Sequence, residues 1–161
     1  MIINTHIFIK PSTSKLNIFL YEVDMMNNTC DLIQFEQDKY KQNAFLESFL
    51  LHTRNLIDFL SDNRRYQSDL TCTDFLDKKG NKISRIELAF DAEFKASIDK
   101  HLSHITKERT KKKPSWNYNH IKHLLNQSVN QFVDLCNDQC FPSIGIRNRI
   151  QNTINSTLIR S

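Results

Sequence analysis

Turn-forming residues are scarce in this chain. Its 161 residues include only two glycines, Gly80 and Gly145, and three prolines. Sheet-rich folds of this length need many tight turns, which usually draw on glycine and proline. The scarcity favours long helices, so we expect an all-α fold. We also expect a single domain, because a chain of this length can bury a core without disulfides or metal.

Two segments in the first half of the chain carry apolar residues at intervals of three and four. This spacing predicts helices with one buried face, the first over about Lys15–Phe35 and the second over about Asp38–Leu60. In the second segment, Arg54 and Asp58 stand four residues apart on the rim of the apolar face. This spacing allows the two side chains to form an ion pair within the helix.

Two further helices are predicted in the second half. One runs from about Asp91 to Arg109, and the other from Trp116 or Asn119 to Asn137, with a helix stop at Pro114 between them. Together the four main helices predict an antiparallel bundle.

Two stretches lack sustained periodicity. Residues 61–89 contain a polar run and a turn cluster, and so predict an irregular loop that packs by its own side chains or serves a function. The last 24 residues, 138–161, are polar and predict either a weakly structured tail or a short helix with Ile146, Ile150 and Ile154. The core of the domain is expected to cover about residues 11–137.

Composition also limits where the protein works. No stretch reaches the roughly 18 to 20 consecutive apolar residues that a membrane-spanning helix needs, and the N-terminus lacks a secretion signal. We therefore expect a cytoplasmic protein without membrane contact. In a reducing cytosol its scattered cysteines are expected to be free thiols, namely Cys30, Cys72, Cys136 and Cys140.

The familiar sequence signatures of enzymes are absent. There is no Gly-rich phosphate loop, nucleophile elbow or metalloprotease pair. Helical di-metal sites use Glu-x-x-His spacing on more than one helix, and zinc sites use paired cysteines. Neither pattern occurs, so we expect no metal and no other cofactor.

The candidate catalytic residues are His52, Arg54 and Asn55 on the second helix and His104 on the third. At 100° per residue, His52 and the nearby His101 fall within apolar faces, so packing of the two helices would form a buried polar cluster. Such a cluster could hold a phosphate, a carboxylate or a partner side chain, or act in catalysis. A structural role is the favoured alternative, since core histidines usually make hydrogen bonds that fix helix register.

A basic run after the third helix offers a second candidate site. Its residues could contact RNA phosphates, with Trp116 and Tyr118 as stacking partners. The net charge is only +4 and no second basic stripe supports binding, so a solvated connection is the favoured alternative. The candidate nucleic-acid-binding residues are Arg109, Lys111, Lys112 and Lys113.

The segment 43–60, with the form ESFLLHxRNLxDFL, resembles a helix of uncharacterised bacterial helical-bundle proteins. The likeness continues in residues 74–76 and 98–106 and spans roughly residues 20–135. The arrangement also resembles the HEPN superfamily of bacterial toxin, antiphage and RNA-processing systems. Active members of that superfamily carry an Arg, often Arg-Asn, and then a His with four to six residues between the two, which on dimerisation forms a metal-independent ribonuclease site. This chain has Arg54-Asn55 but no histidine at positions 59–61, and that departure argues against ribonuclease activity.

Three hypotheses of function follow. The first is a binding or regulatory module, acting as a homodimer or as one component of a bacterial defence or toxin–antitoxin pair with an RNA or protein partner. The second is a divergent HEPN-type ribonuclease in which Arg54 holds phosphate and His104 or His52 is the general base. The third is an RNA-binding module that uses the basic run 109–113.

Overall fold

The computed structural model describes residues 15–103 and 115–141, together with residues 145, 147, 148, 150–152 and 154. In this part of the chain, helices dominate and no residue lies in a β-strand beyond two isolated bridges. The all-α prediction is confirmed. The main helices are α1 (Lys15–Phe35), α2 (Lys39–Leu60), α3 (Ala92–Ser103) and α4 (Tyr118–Leu135).

Side-chain caps set two helix starts. The Asp38 carboxylate accepts hydrogen bonds from the backbone N–H groups of Tyr40 and Lys41, at 2.8 and 3.1 Å. Asp38 is therefore the N-cap of α2 rather than its first helical residue. Asn117 caps α4 in the same way. The predicted end of the third helix at Arg109 lies outside the described residues.

Helices α1 and α2 form an antiparallel hairpin. The ring of Phe19 near the start of α1 lies 4.7 Å from the ring of Phe59 near the end of α2. At the other end of the pair, the side-chain amide of Gln42 donates to the backbone carbonyl of Ile33 at 3.1 Å. The start of one helix therefore faces the end of the other.

Helix α4 is also antiparallel to α1. Near its end, the ring of Phe132 packs against Phe19 with centroids 5.0 Å apart, and near its start Asn119 accepts a hydrogen bond from Gln34 at 2.7 Å. Midway along the pair, Asn27 and Asn126 are both buried and exchange side-chain hydrogen bonds of 2.8 and 3.2 Å. Apolar packing and a central polar pair thus join the two helices.

The connection between α2 and α3 packs by its own side chains, one of the two alternatives expected for it. Phe75 meets the rings of Phe59 and Phe132 edge-on, and the backbone N–H of Ile86 donates to the carbonyl of Leu60. The loop residues buried in the core are Cys72, Phe75, Ile83 and Ile86.

The described residues after 141 are helical, which supports the short-helix alternative for this segment. Ile150 and Ile154 are buried and belong to the same hydrophobic core as the main helices. The core therefore reaches past residue 137, where the sequence placed its end. Ile146 lies outside the described residues.

Candidate functional site

An open cleft of about 360 Å³ lies between α1, α2 and the first part of the loop. We call it the α1–α2 cleft. Its volume is near the lower end for small-molecule sites. The apolar lining consists of Ile18, Phe19, Leu56, Phe59 and Leu70, and the polar lining of Glu22, Arg54, Asn55, Asp58, Asn63, Arg65, Tyr66 and Asp69.

Glu22 forms the polar part of the wall on the α1 side. His52 and Asn55 stand three residues apart on α2 and so share the face that meets α1. His52 Nδ1 lies 2.7 Å from Glu22 Oε2, and Asn55 Nδ2 donates to the same oxygen at 3.0 Å. Because an ionised carboxylate only accepts hydrogen bonds, the Nδ1 of His52 carries a proton. The two contacts fix the position of the Glu22 carboxylate.

His52 itself lies behind this wall. His52 is only 6% exposed and does not line the cleft. The ring of Tyr21 packs edge-on against its imidazole, with the ring centroids 5.6 Å apart. Its Nδ1 is engaged by Glu22. The contacts of His52 therefore serve to position Glu22 rather than to meet a ligand.

The lining residues Arg54, Asp58 and Arg65 form ion pairs with α3. Arg54 Nη1 lies 3.5 Å from Asp99 Oδ1, and Arg65 Nη2 lies 3.2 Å from Asp99 Oδ2. Asp58 pairs with Lys95 at 2.7 Å and with Arg65 at 3.6 Å. Arg54 and Asp58 thus each form an ion pair with a residue of α3. Their spacing on α2 had suggested an ion pair with each other. These pairs also show that α3 is antiparallel to α2.

Arg54 uses few of its hydrogen-bond donors. The 3.5 Å contact with Asp99 is long, and the buried Nε of Arg54 has no hydrogen-bond partner among the residues that the structure describes. A guanidinium carries five N–H donors in a planar fork. Arg54 therefore retains donors suited to a carboxylate or a phosphate.

The loop that closes the cleft has a fixed conformation. The Asp69 carboxylate accepts the backbone N–H groups of Arg65 and Tyr66 at 2.8 and 2.9 Å. Nearby, Asp62 adopts a positive φ of 55°, and the hydroxyl of Thr71 donates to its carboxylate at 2.6 Å. These bonds hold Tyr66, which is 72% exposed, at the rim of the cleft.

The two imidazoles predicted to form one cluster make different contacts. His52 meets Glu22 on α1, whereas the ring of His101 packs against Trp116 at 5.7 Å. The face of α2 that carries His52 turns towards α1, and the face that carries Arg54 turns towards α3. His52 and His101 thus have different described neighbours.

Of the predicted site residues, Arg54 and Asn55 line the cleft and His52 supports it. The remaining predicted residues, His104, Arg109, Lys111, Lys112 and Lys113, lie outside the described residues. Glu22, Arg65 and Asp69 were not predicted. Glu22 and Arg65 join the site through tertiary contacts, and Asp69 lies in a loop without sustained periodicity. Within the described ranges, no group of three or more His, Cys, Asp or Glu side chains could hold a metal ion.

All four cysteines are free thiols, and burial raises the pKa of Cys30 and Cys136 to about 12 and of Cys72 to about 11. Among the described helices, none is long and apolar enough to cross a membrane. Comparison with known protein families, curated proteins and solved structures gives no match. The geometry of the cleft therefore carries the proposal of function.

Proposed function

We propose that the protein is a non-enzymatic binding module whose ligand places an anionic group against Arg54 in the α1–α2 cleft. The observation that carries the proposal is the small number of contacts that the Arg54 guanidinium makes. Its guanidinium lines the cleft, has one long contact to Asp99, and leaves Nε without a partner. A carboxylate or phosphate would supply the acceptors that this side chain lacks.

A second guanidinium supports the same proposal. Arg54 and Arg65 both line the cleft, and both contact Asp99. Two guanidinium groups therefore lie close together where an anionic group would bind. The apolar lining of the cleft would cover the rest of the ligand, since burying apolar surface is favourable.

The biological setting of this module follows the resemblance to HEPN proteins. We propose a regulatory role in the bacterial cytoplasm, as a homodimer or as one component of a defence or toxin–antitoxin pair. An RNA or protein partner would carry the anionic group.

Catalysis is the competing function. His52 is turned towards Glu22 and lies outside the cleft lining, so it is poorly placed to act as a general base on a bound ligand. The test is incubation of single-stranded RNA with a high concentration of the protein in chelator. Intact RNA supports a non-enzymatic role. Cleavage that disappears in a folded Arg54→Ala variant would overturn it in favour of a ribonuclease.

Binding is tested with octanoate, which combines a carboxylate with an apolar chain. We expect saturable chemical-shift changes at backbone amides of the cleft when octanoate is titrated into ¹⁵N-labelled protein. Arg54→Gln should weaken binding by about tenfold, the effect of losing one charge-assisted contact. Arg85→Gln removes the same charge from an exposed loop residue outside the cleft and should leave the Kd unchanged.

A second pair of variants tests the location. Ile18 and Leu32 are both on α1 and each is 44% exposed, but only Ile18 lines the cleft. Ile18→Trp should block octanoate, whereas Leu32→Trp should not. If octanoate fails to saturate, or if both tryptophan variants behave alike, the proposed function is wrong.

A further inference from the structure

We infer that the ligand of the α1–α2 cleft is amphoteric, with an ammonium or guanidinium group held by Glu22 and an apolar stretch leading to the anionic group. The anionic end of this inference rests on the proposed function of Arg54. The cationic end rests on a separate observation, the environment of Glu22.

Glu22 is a partly buried carboxylate with one oxygen still available to a ligand. Its side chain is 19% exposed, and within residues 15–103 and 115–141 no Lys or Arg pairs with it. Both of its described hydrogen-bond donors, His52 and Asn55, use Oε2. A cationic group in the cleft would supply a charged donor to Oε1, and charge-assisted hydrogen bonds are the strong ones.

The Glu22 carboxylate is also held in position for a cationic partner. Two donors on one oxygen hold the Glu22 side chain in a single orientation at the wall of the cleft. A group that is already fixed loses little conformational freedom when a ligand binds. In this role His52 and Asn55 are positioning residues.

Glu22 and Arg54 both line the cleft, so one ligand can reach both. Asn55 reaches Glu22 on the α1 side of α2, and Arg54 reaches Asp99 on its α3 side. Packed helices lie about 8–10 Å apart, so we expect the two ligand charges to be about 10 Å apart. Phe19 and Phe59 contribute apolar surface to the lining. An extended chain of about eight atoms fits this span.

Probes of equal chain length test the cationic subsite. Octanoate carries only the anion, whereas 8-aminooctanoate adds an ammonium at the far end. Without an acidic partner, this ammonium would weaken binding because it replaces an apolar methyl group. We expect 8-aminooctanoate instead to bind about three- to tenfold more tightly than octanoate, the gain from one charge-assisted contact. Octylammonium should also bind, at Glu22 alone.

Variants at Glu22 separate charge from shape. In Glu22→Gln the advantage of 8-aminooctanoate over octanoate should disappear, while the Kd of octanoate stays the same. Glu47→Gln, which removes a charge from an exposed residue of α2, should retain the advantage. Chain length gives a test that needs no variant. The shorter 4-aminobutanoate cannot span the cleft, so it should show no gain over butanoate.

The outcomes distinguish the two proposals. Octanoate binding that depends on Arg54, with 8-aminooctanoate binding more weakly, overturns the cationic subsite and leaves the proposed function intact. Binding of 8-aminooctanoate that depends on Glu22 but not on Arg54 supports the cationic subsite and overturns the anionic one. A competition experiment identifies the class of ligand. Displacement of 8-aminooctanoate by acetyl-Lys-Leu-Leu-Asp-amide supports a peptide segment as the ligand, and failure to displace it supports a small molecule.

Discussion

Asn27 and Asn126 form a buried pair between α1 and α4, with exposures of 4% and 0%. Asn126 Nδ2 donates to Asn27 Oδ1 at 2.8 Å, Asn27 Nδ2 donates to Asn126 Oδ1 at 3.2 Å, and Asn27 also donates to the carbonyl of Val23. Each amide thus depends on the other for its partners. This arrangement makes a double-mutant cycle with leucine informative.

The expected magnitudes follow from hydrogen-bond satisfaction. Replacing one asparagine removes both mutual bonds and leaves the other amide buried and unsatisfied, Asn126 without a described partner or Asn27 with only its bond to the Val23 carbonyl. Either change should cost about 2–3 kcal/mol of unfolding free energy. Replacing both leaves no unsatisfied side-chain amide between the helices, so the double variant should cost about 1 kcal/mol or less. The coupling energy is then about 3 kcal/mol or more in favour of the double variant.

The assay is urea denaturation of the wild type, Asn27→Leu, Asn126→Leu and the double variant, followed by circular dichroism. Equal m-values would show that the four proteins expose the same amount of surface when they unfold. If the costs of the single variants simply add in the double variant, the reasoning from reciprocal hydrogen bonds is refuted.

Three further predictions concern other buried or paired groups. The fully buried Thr53 hydroxyl has no hydrogen-bond partner, so Thr53→Val should raise the unfolding free energy by up to about 1 kcal/mol, and a clear drop in Tm would contradict this. Because burial raises the pKa of the Cys30, Cys72 and Cys136 thiols to about 12, 11 and 12, iodoacetamide at neutral pH should label the partly exposed Cys140 first, and equal labelling in the native state would oppose it. The hydrogen bond from Thr71 lowers the pKa of Asp62 below its usual 3.8, so the stability that Asp62 contributes is present above about pH 4 and is lost as the pH falls through the folded-state pKa. Asp62→Asn should flatten the acid limb of a stability–pH curve, and an unchanged limb would count against this reading.

Much of the helical part of the fold was predictable from local sequence. The interval of apolar residues located α1 with the bounds that the structure has, and α2 to within one residue. Helices form local hydrogen bonds and bury one face, so their signal lies within a short window. The loop between α2 and α3 has no such local signal, because the residues that bury Phe75 and Ile86 are distant in the sequence.

The candidate site was predictable only in part. Arg54 and Asn55 stood out as polar residues beside an apolar face, and both line the cleft. Glu22 did not stand out, because the sequence around it shows only that it lies off the apolar stripe of α1. Its role depends on two donors that are 30 and 33 positions further along the chain.

The sequence by itself determined that this chain forms amphipathic helices, since few turn formers and a three-to-four periodicity leave little alternative. Only the tertiary structure decided which face of α2 meets which neighbour. That choice sends His52 to α1 and Arg54 to α3. The physical reason is that periodicity defines a buried face, whereas the partner of each polar group at its edge depends on how whole helices pack.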